Sequence, residues 1–117
     1  MGKKMGIKLI NEPVWLSYDL GMGGDYEGLY RWLDSKKALE CGDSGAFFHF
    51  SYVNDLEKEM KKELEDNVDF KKKGRIYITY MRKDGKIAGK FIFGGRKAAP
   101  WAGYAFEEQV DMKAGDM

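Results

Sequence analysis

The order of hydrophobic periods along the chain is the feature that most restricts its fold. An alternation with period two runs through Val14-Trp15-Leu16-Ser17-Tyr18-Asp19, and a helical stripe follows at Tyr26, Leu29, Tyr30 and Leu33. A second alternation covers Ala46 to Tyr52, and a second stripe comes at Val53, Leu56, Met60, Leu64 and Val68. Two more alternating runs, Arg75 to Arg82 and Lys86 to Phe93, flank Asp84-Gly85. Period two sends side chains to alternate faces of a strand, whereas a period near 3.6 lays one stripe along a helix. With a short strand expected at Ala38 to Cys41, the order is strand-helix-strand-strand-helix-strand plus a final strand. The apolar stripes of the two helices must be buried against the sheet, so the helices cover one of its faces.

The local signals agree with that order. Pro13 starts the first strand, with Val14, Leu16 and Tyr18 on the core face and Trp15, Ser17 and Asp19 on the other. Gly21-Met22-Gly23-Gly24 is a loop, and Asp25 suits a helix N-cap because its carboxylate accepts from free backbone N–H groups. Trp32 lies off the first stripe, and the helix ends near Ser35 to Lys37. Gly42-Asp43-Ser44-Gly45 has turn chemistry. In the next strand Ala46, Phe48, Phe50 and Tyr52 share one face, and Phe47, His49 and Ser51 the other. Asn54 is placed to cap the second helix. Asp84-Gly85 marks a hairpin in which both turn residues tolerate positive φ. Ile76, Ile78 and Tyr80 share a face, opposed by Phe91 and Phe93. The whole is the ferredoxin-like pattern: an α+β antiparallel sheet with two helices on one face, extended by a C-terminal β-hairpin. Residues 1 to 106 are expected to form a single domain, followed by an acidic, mobile tail at 107 to 117.

Composition sets the class. With 117 residues and 44% apolar content the chain can bury a modest core without staples. Cys41 is the single cysteine, so no intramolecular disulfide forms, which fits a reducing cytoplasmic setting. No run is apolar enough for a signal peptide or a membrane span, so no membrane partner is expected. Charge is unevenly placed. Residues Asn54 to Asp69 hold seven acids against three lysines, while Lys71 to Lys97 hold ten bases against Asp84 alone. Such a local surplus attracts phosphate or an acidic partner.

The segment Trp15-Leu16-Ser17-Tyr18-Asp19-Leu20 and the following Gly24-Asp25-Tyr26-Glu27-Gly28-Leu29-Tyr30 carry a resemblance. They resemble the start of the small ferredoxin-like CRISPR adaptation nucleases and their relatives, the virulence-associated protein D toxins. Element order extends the likeness to about residue 80. The resemblance implies a metal-binding aspartate at the end of the first strand, close to its copy across a dimer interface. By position that role falls on Asp19, which would then be catalytic and would hold a divalent cation (Mg or Mn) for phosphodiester cleavage.

The residues themselves leave several readings open. Asp19 either ligates a metal or hydrogen-bonds the backbone of the glycine turn after it. Cys41 and His49, with Asp43, make a nucleophile-and-base pair only if their side chains come within hydrogen-bond reach. Gly94-Gly95-Arg96-Lys97 either cradles an anion or simply turns the chain. In the hairpin, Arg75, Arg82, Lys83, Lys86, Lys90, Arg96 and Lys97 are interleaved with Tyr77, Tyr80, Phe91 and Trp101. Cations neutralise phosphates while aromatics stack on bases, but lysines also keep an edge hairpin from aggregating. Pro100-Trp101, Tyr104 and Phe106 form either a hook for a partner or a pin over the open sheet face.

The absence of a catalytic set places an interaction protein of bacterial or phage type ahead of an enzyme, with no cofactor. It would bind a nucleic acid or a protein through the basic hairpin and the Gly-Gly-Arg/Pro-Trp loop. The alternatives are a metal-dependent endonuclease acting through Asp19 at a dimer interface, and a small-molecule binding protein. The open sheet face or an edge strand offers a surface for a homodimer.

Overall fold

A computed structural model describes residues 8–71 and 73–105. Phe106 and the acidic tail at 107 to 117 lie outside the described residues. Seven elements follow one another: β1 (Ile10–Asp19), α1 (Tyr26–Ser35), β2 (Leu39–Glu40), β3 (Gly45–Tyr52), α2 (Leu56–Asn67), β4 (Arg75–Met81) and β5 (Ile87–Phe93). The strands form one sheet in the order β2-β3-β1-β4-β5, with every neighbouring pair antiparallel. β3 lies between β1 and β2, and β1 lies between β3 and β4, so each helix connection passes over one strand. This is the ferredoxin-like arrangement, α+β with both helices on one face, and β5 widens the sheet at the β4 edge.

The core sits between that face and the helices. Val14 and Leu16 from β1, Ala46, Phe48, Phe50 and Tyr52 from β3, and Ile76 and Ile78 from β4 meet Leu29, Trp32, Leu33, Leu56, Met60 and Leu64 from the helices. Each large side chain removed from water there contributes roughly 1.5–3 kcal/mol. Among the described residues no polar or charged residue is buried in this layer.

The stripe of α1 is rotated from its expected position. Gly28, Leu29, Trp32 and Leu33 are buried, while Tyr30 is half exposed. Trp32 has a polar handle that the core can satisfy, since its Nε1–H donates to Glu63 Oε1 at 3.0 Å on α2. Lys36 pairs with the same carboxylate at 2.7 Å and lies 5.4 Å from the Trp32 ring centroid. Gly28 permits the approach of the two helices, because a Cβ there would stand 2.6 Å from the Asn67 carbonyl oxygen. Tyr26 and Tyr30 gather instead around Tyr18 at the side of the core.

The caps follow the same logic with one shift. Asp25 caps α1, accepting from Gly28 N–H at 2.9 Å, and its other oxygen accepts from Asp69 N–H at 2.9 Å. Asp55, rather than Asn54, caps α2 by accepting from Lys58 N–H at 3.1 Å. Glu59 reaches back and accepts from the N–H groups of Val53, Asn54 and Asp55 together, which fixes the start at Leu56.

The strands show three further differences. β1 begins at Ile10, with Pro13 inside it. Pro13 is tolerated because β4 pairs with β1 only from Val14 onward, leaving this half of the strand with β3 as its one neighbour. In the hairpin only Gly85 has positive φ, at +86°; Gly85 N–H donates to the Arg82 carbonyl and Arg82 N–H to the Lys86 carbonyl. The loop is therefore three residues long, Lys83-Asp84-Gly85, a turn closed by a left-handed glycine. Finally, β5 carries a bulge: Ile76 faces Phe93 but Tyr77 faces Phe91, so Ile92 is an extra residue. The three-residue loop sets Phe91 opposite Tyr77, on the face away from the helices, and the insertion returns Phe93 to the helix side, where it stacks on Phe70 at 4.0 Å.

Candidate nucleic-acid interface

The face of the sheet away from the helices is built by the same alternation that fills the core. Leu39, Phe47, Trp15, Thr79 and Gly89 form one row across all five strands, and Gly45, Ser17, Tyr77 and Phe91 form the next. Trp15 remains half exposed, with its ring 4.7 Å from Phe47, and His49 continues the cluster at 5.5 Å. Tyr77 and Phe91 make a second aromatic pair at 4.8 Å. Gly89 leaves room for it, since a Cβ there would stand 2.1 Å from the Tyr77 hydroxyl oxygen. A strand glycine covered by a cross-strand ring is stabilised by that contact.

One end of this face is cationic. The Arg96 guanidinium lies 5.4 Å from the Phe91 centroid and 5.8 Å from Tyr77. Arg75 pairs with Asp19 at 3.0 Å and also donates to the Gly95 carbonyl at 3.3 Å. Gly94 closes tightly on it: φ is +73° and an added Cβ would stand 2.7 Å from Arg75 Cγ. The Gly-Gly segment thus turns the chain so that Arg96 returns over the sheet. Ser17, Tyr18, Asp19, Arg75, Tyr77, Phe91 and Arg96 line a cleft of about 350 Å³ at this end. Asp19 is the only acid on the open face among the described residues. The Arg75 guanidinium beside it holds its carboxyl below the usual range, and Lys97 adds to the effect.

The structure divides the sequence-predicted basic set into three groups. Arg75, Arg96 and Lys97 belong to the cationic end. Arg82, Lys83 and Lys86 stand at the opposite end, at the hairpin tip, where Arg82 pairs with Asp84. Seven-residue strands separate the two groups by roughly 20 Å. Lys90 lies on the helix side, tied to Glu57 at 2.9 Å, and Tyr80 donates to the same glutamate at 2.6 Å. The acidic helix therefore neutralises one hairpin cation and leaves the open face untouched. Trp101 and Tyr104 are exposed in a turn held by Tyr104 N–H donating to the Trp101 carbonyl.

Asp19 satisfies the turn reading directly, accepting from Gly21 N–H at 3.2 Å while it pairs with Arg75. Among the described residues no group of three or more His, Cys, Asp or Glu is arranged to hold a metal ion. Cys41 sits opposite Gly45, and His49 lies four residues further along β3, about 13 Å away, beyond hydrogen-bond reach. The residues that sequence reasoning left out of the site are Ser17, Phe47 and His49. Their signal was the period-two alternation, which already set Trp15, Phe47 and His49 on one side. Phe91 was assigned to the wrong face because the hairpin loop has three residues rather than the two of Asp84-Gly85, which shifts the register of β5 by one. Compared with known proteins, the chain matches no protein-family model, no curated protein and no solved structure.

Proposed function

We propose that the protein binds single-stranded nucleic acid on the open face of its sheet. The observation that carries this reading is the pairing, on the open face, of aromatic rings with guanidinium groups, where the one acid among the described residues is itself paired with an arginine. Bases of a single strand are free to stack on such rings, and sequence-tolerant stacking contributes about 1–3 kcal/mol per base. A duplex hides its bases and offers the rings nothing. Arg96 and Lys97 at one end meet the phosphates, and Arg82, Lys83 and Lys86 at the hairpin tip extend the track, with Trp101 as a further stacking ring.

The test is binding of labelled single- and double-stranded RNA and DNA at two salt concentrations. Single strands should bind more tightly than duplexes, and log affinity should fall with log salt by roughly 0.7 per phosphate contacted. Arg96→Glu and Trp15→Ala should each weaken binding with the fold intact. Equal binding of duplex and single strand, or no binding, overturns the reading; in the latter case the aromatic face would be examined for self-association. Running the same samples with magnesium or manganese on a gel tests the endonuclease alternative, in which cleavage must disappear in Asp19→Ala.

A further inference from the structure

We infer that the cleft at the cationic end of the open face selects a guanine base. The inference rests on the single-strand reading above and names the nucleotide that this end prefers.

The cleft, about 350 Å³, is at the small end of ligand-binding pockets and suits one base rather than a large cofactor. Its aromatic wall is Tyr77 and Phe91, set edge to face at 70°, so a base stacks on one ring and meets the edge of the other. Beside them stands Asp19, whose side chain is 49% exposed. The carboxylate is fixed from both sides: Oδ1 accepts from Gly21 N–H at 3.2 Å and Oδ2 from Arg75 Nη2 at 3.0 Å. Arg75 is in turn anchored by the Gly95 carbonyl and the close approach of Gly94. An ionised carboxylate has about four lone-pair sites, so each oxygen keeps one free acceptor position. The result is a rigid fork of two acceptors with no donor.

The bases differ in what they offer such a fork. Guanine presents two adjacent donors on its Watson–Crick edge, N1–H and the N2 amino group. Adenine and cytosine set their amino group beside a bare ring nitrogen, which a carboxylate repels. Uracil and thymine set one N–H between two carbonyls, which repel it as well. Guanine's other edge, O6 and N7, accepts two hydrogen bonds from a guanidinium. Arg96 is the cation available there: it covers both rings, within 6 Å of their centroids, and a base that displaces it from them meets it at that edge. Ring, acceptor fork and guanidinium together match guanine on three sides and every other base on fewer.

The experiment uses labelled single-stranded oligouridine carrying one central guanosine, inosine or adenosine, titrated into the full chain. A bidentate pair is worth about 1–3 kcal/mol, so the guanosine strand should bind roughly five- to 150-fold more tightly than the adenosine strand. Inosine lacks the N2 amino group and should fall between them. Asp19→Asn replaces one acceptor of the fork by a donor and should abolish most of the difference; its melting temperature verifies the fold. If that variant fails to fold, the inosine strand decides on wild-type protein. Free guanosine monophosphate binding as tightly as the strand supports guanine selection and overturns the single-strand reading. Guanosine and adenosine strands bound equally overturn guanine selection and leave the single-strand reading standing. No binding of any strand or of the free nucleotide overturns both.

Discussion

The two faces of the sheet are made by the same strands, yet they solve different problems. On the helix side β1, β3 and β4 present Val14, Leu16, Phe48, Phe50, Ile76 and Ile78, all nearly inaccessible to water. On the other side the alternate positions present Trp15 and His49, which are exposed, and Phe47 and Tyr77, which are partly buried. Buried on the helix side, aliphatic and aromatic side chains alike serve packing alone. Aromatic rings keep a flat, polarisable surface that a ligand can cover, and Trp and Tyr add a polar edge. The contrast teaches that stability and the proposed recognition are separated by one residue of register, so they should be separable by mutation.

The largest expected effect breaks the buried face. Phe50→Ala or Met60→Ala should cost about 3–5 and 2–5 kcal/mol respectively in urea unfolding, enough to unfold a marginal domain. Gly28→Val, which forces a side chain against the Asn67 carbonyl, should cost about 1–3 kcal/mol and loosen the contact between the helices. The open face should respond in the opposite way. Tyr77→Ala and Phe91→Ala should each weaken single-strand binding by about 1–3 kcal/mol while costing less stability than Phe50→Ala, because these rings are only partly buried. A large loss of stability in those two variants would show that the faces are not separate.

Smaller effects come from titration. Backbone N–H groups hold Glu59 and Asp25 below the ordinary carboxylate range, the donors being Asp55, Val53 and Asn54 for the former and Asp69 and Gly28 for the latter. A depressed carboxylate stabilises the fold above its unfolded value, and the contribution disappears as pH falls through the folded value. The melting temperature should therefore drop below about pH 4.5, and Glu59→Gln should flatten that limb. Tyr18 works at the other extreme. Burial, and then its neighbour Tyr30, push its phenol up to about 12, and the hydroxyl donates to the Asp43 carbonyl. A raised value means stability fully present below the unfolded pKa of about 10 and lost between there and the folded value. Tyr18→Phe should weaken that alkaline limb, followed by tyrosinate absorbance.

Element order, the faces of β1 and β3, the Asp25 cap and the stripe of α2 from Leu56 to Val68 were legible in the sequence because each follows from local signals, whereas Val53, expected to open that stripe, is exposed. What was not legible depended on partners distant in sequence. Trp32 is buried because Glu63 on the other helix receives its N–H. Lys90 leaves the basic surface because Glu57 reaches it from α2. Asp55 rather than Asn54 caps α2 because Glu59 has already engaged the preceding backbone. Of the site, the cations Arg75, Arg96 and Lys97 could be named from charge alone. Their union with the aromatic rows required the strand order, which no local signal specifies.

The extra residue at Ile92 has a consequence for inheritance. Phe91 opposite Tyr77 and Phe93 opposite Ile76 are both pairings that do not depend on it. Removing one codon there would restore strict alternation through β5 and leave both rings on their faces. Removing one codon between the hairpin loop and Phe91 would instead turn Phe91 toward the helices. An alignment would record the same one-position gap in either case. Two chains of this kind that differ by the second gap would share a fold and a core and yet present different chemistry on the open face. Kinship inferred from overall similarity would thus be a poor guide to shared binding, and the position of the gap a much better one.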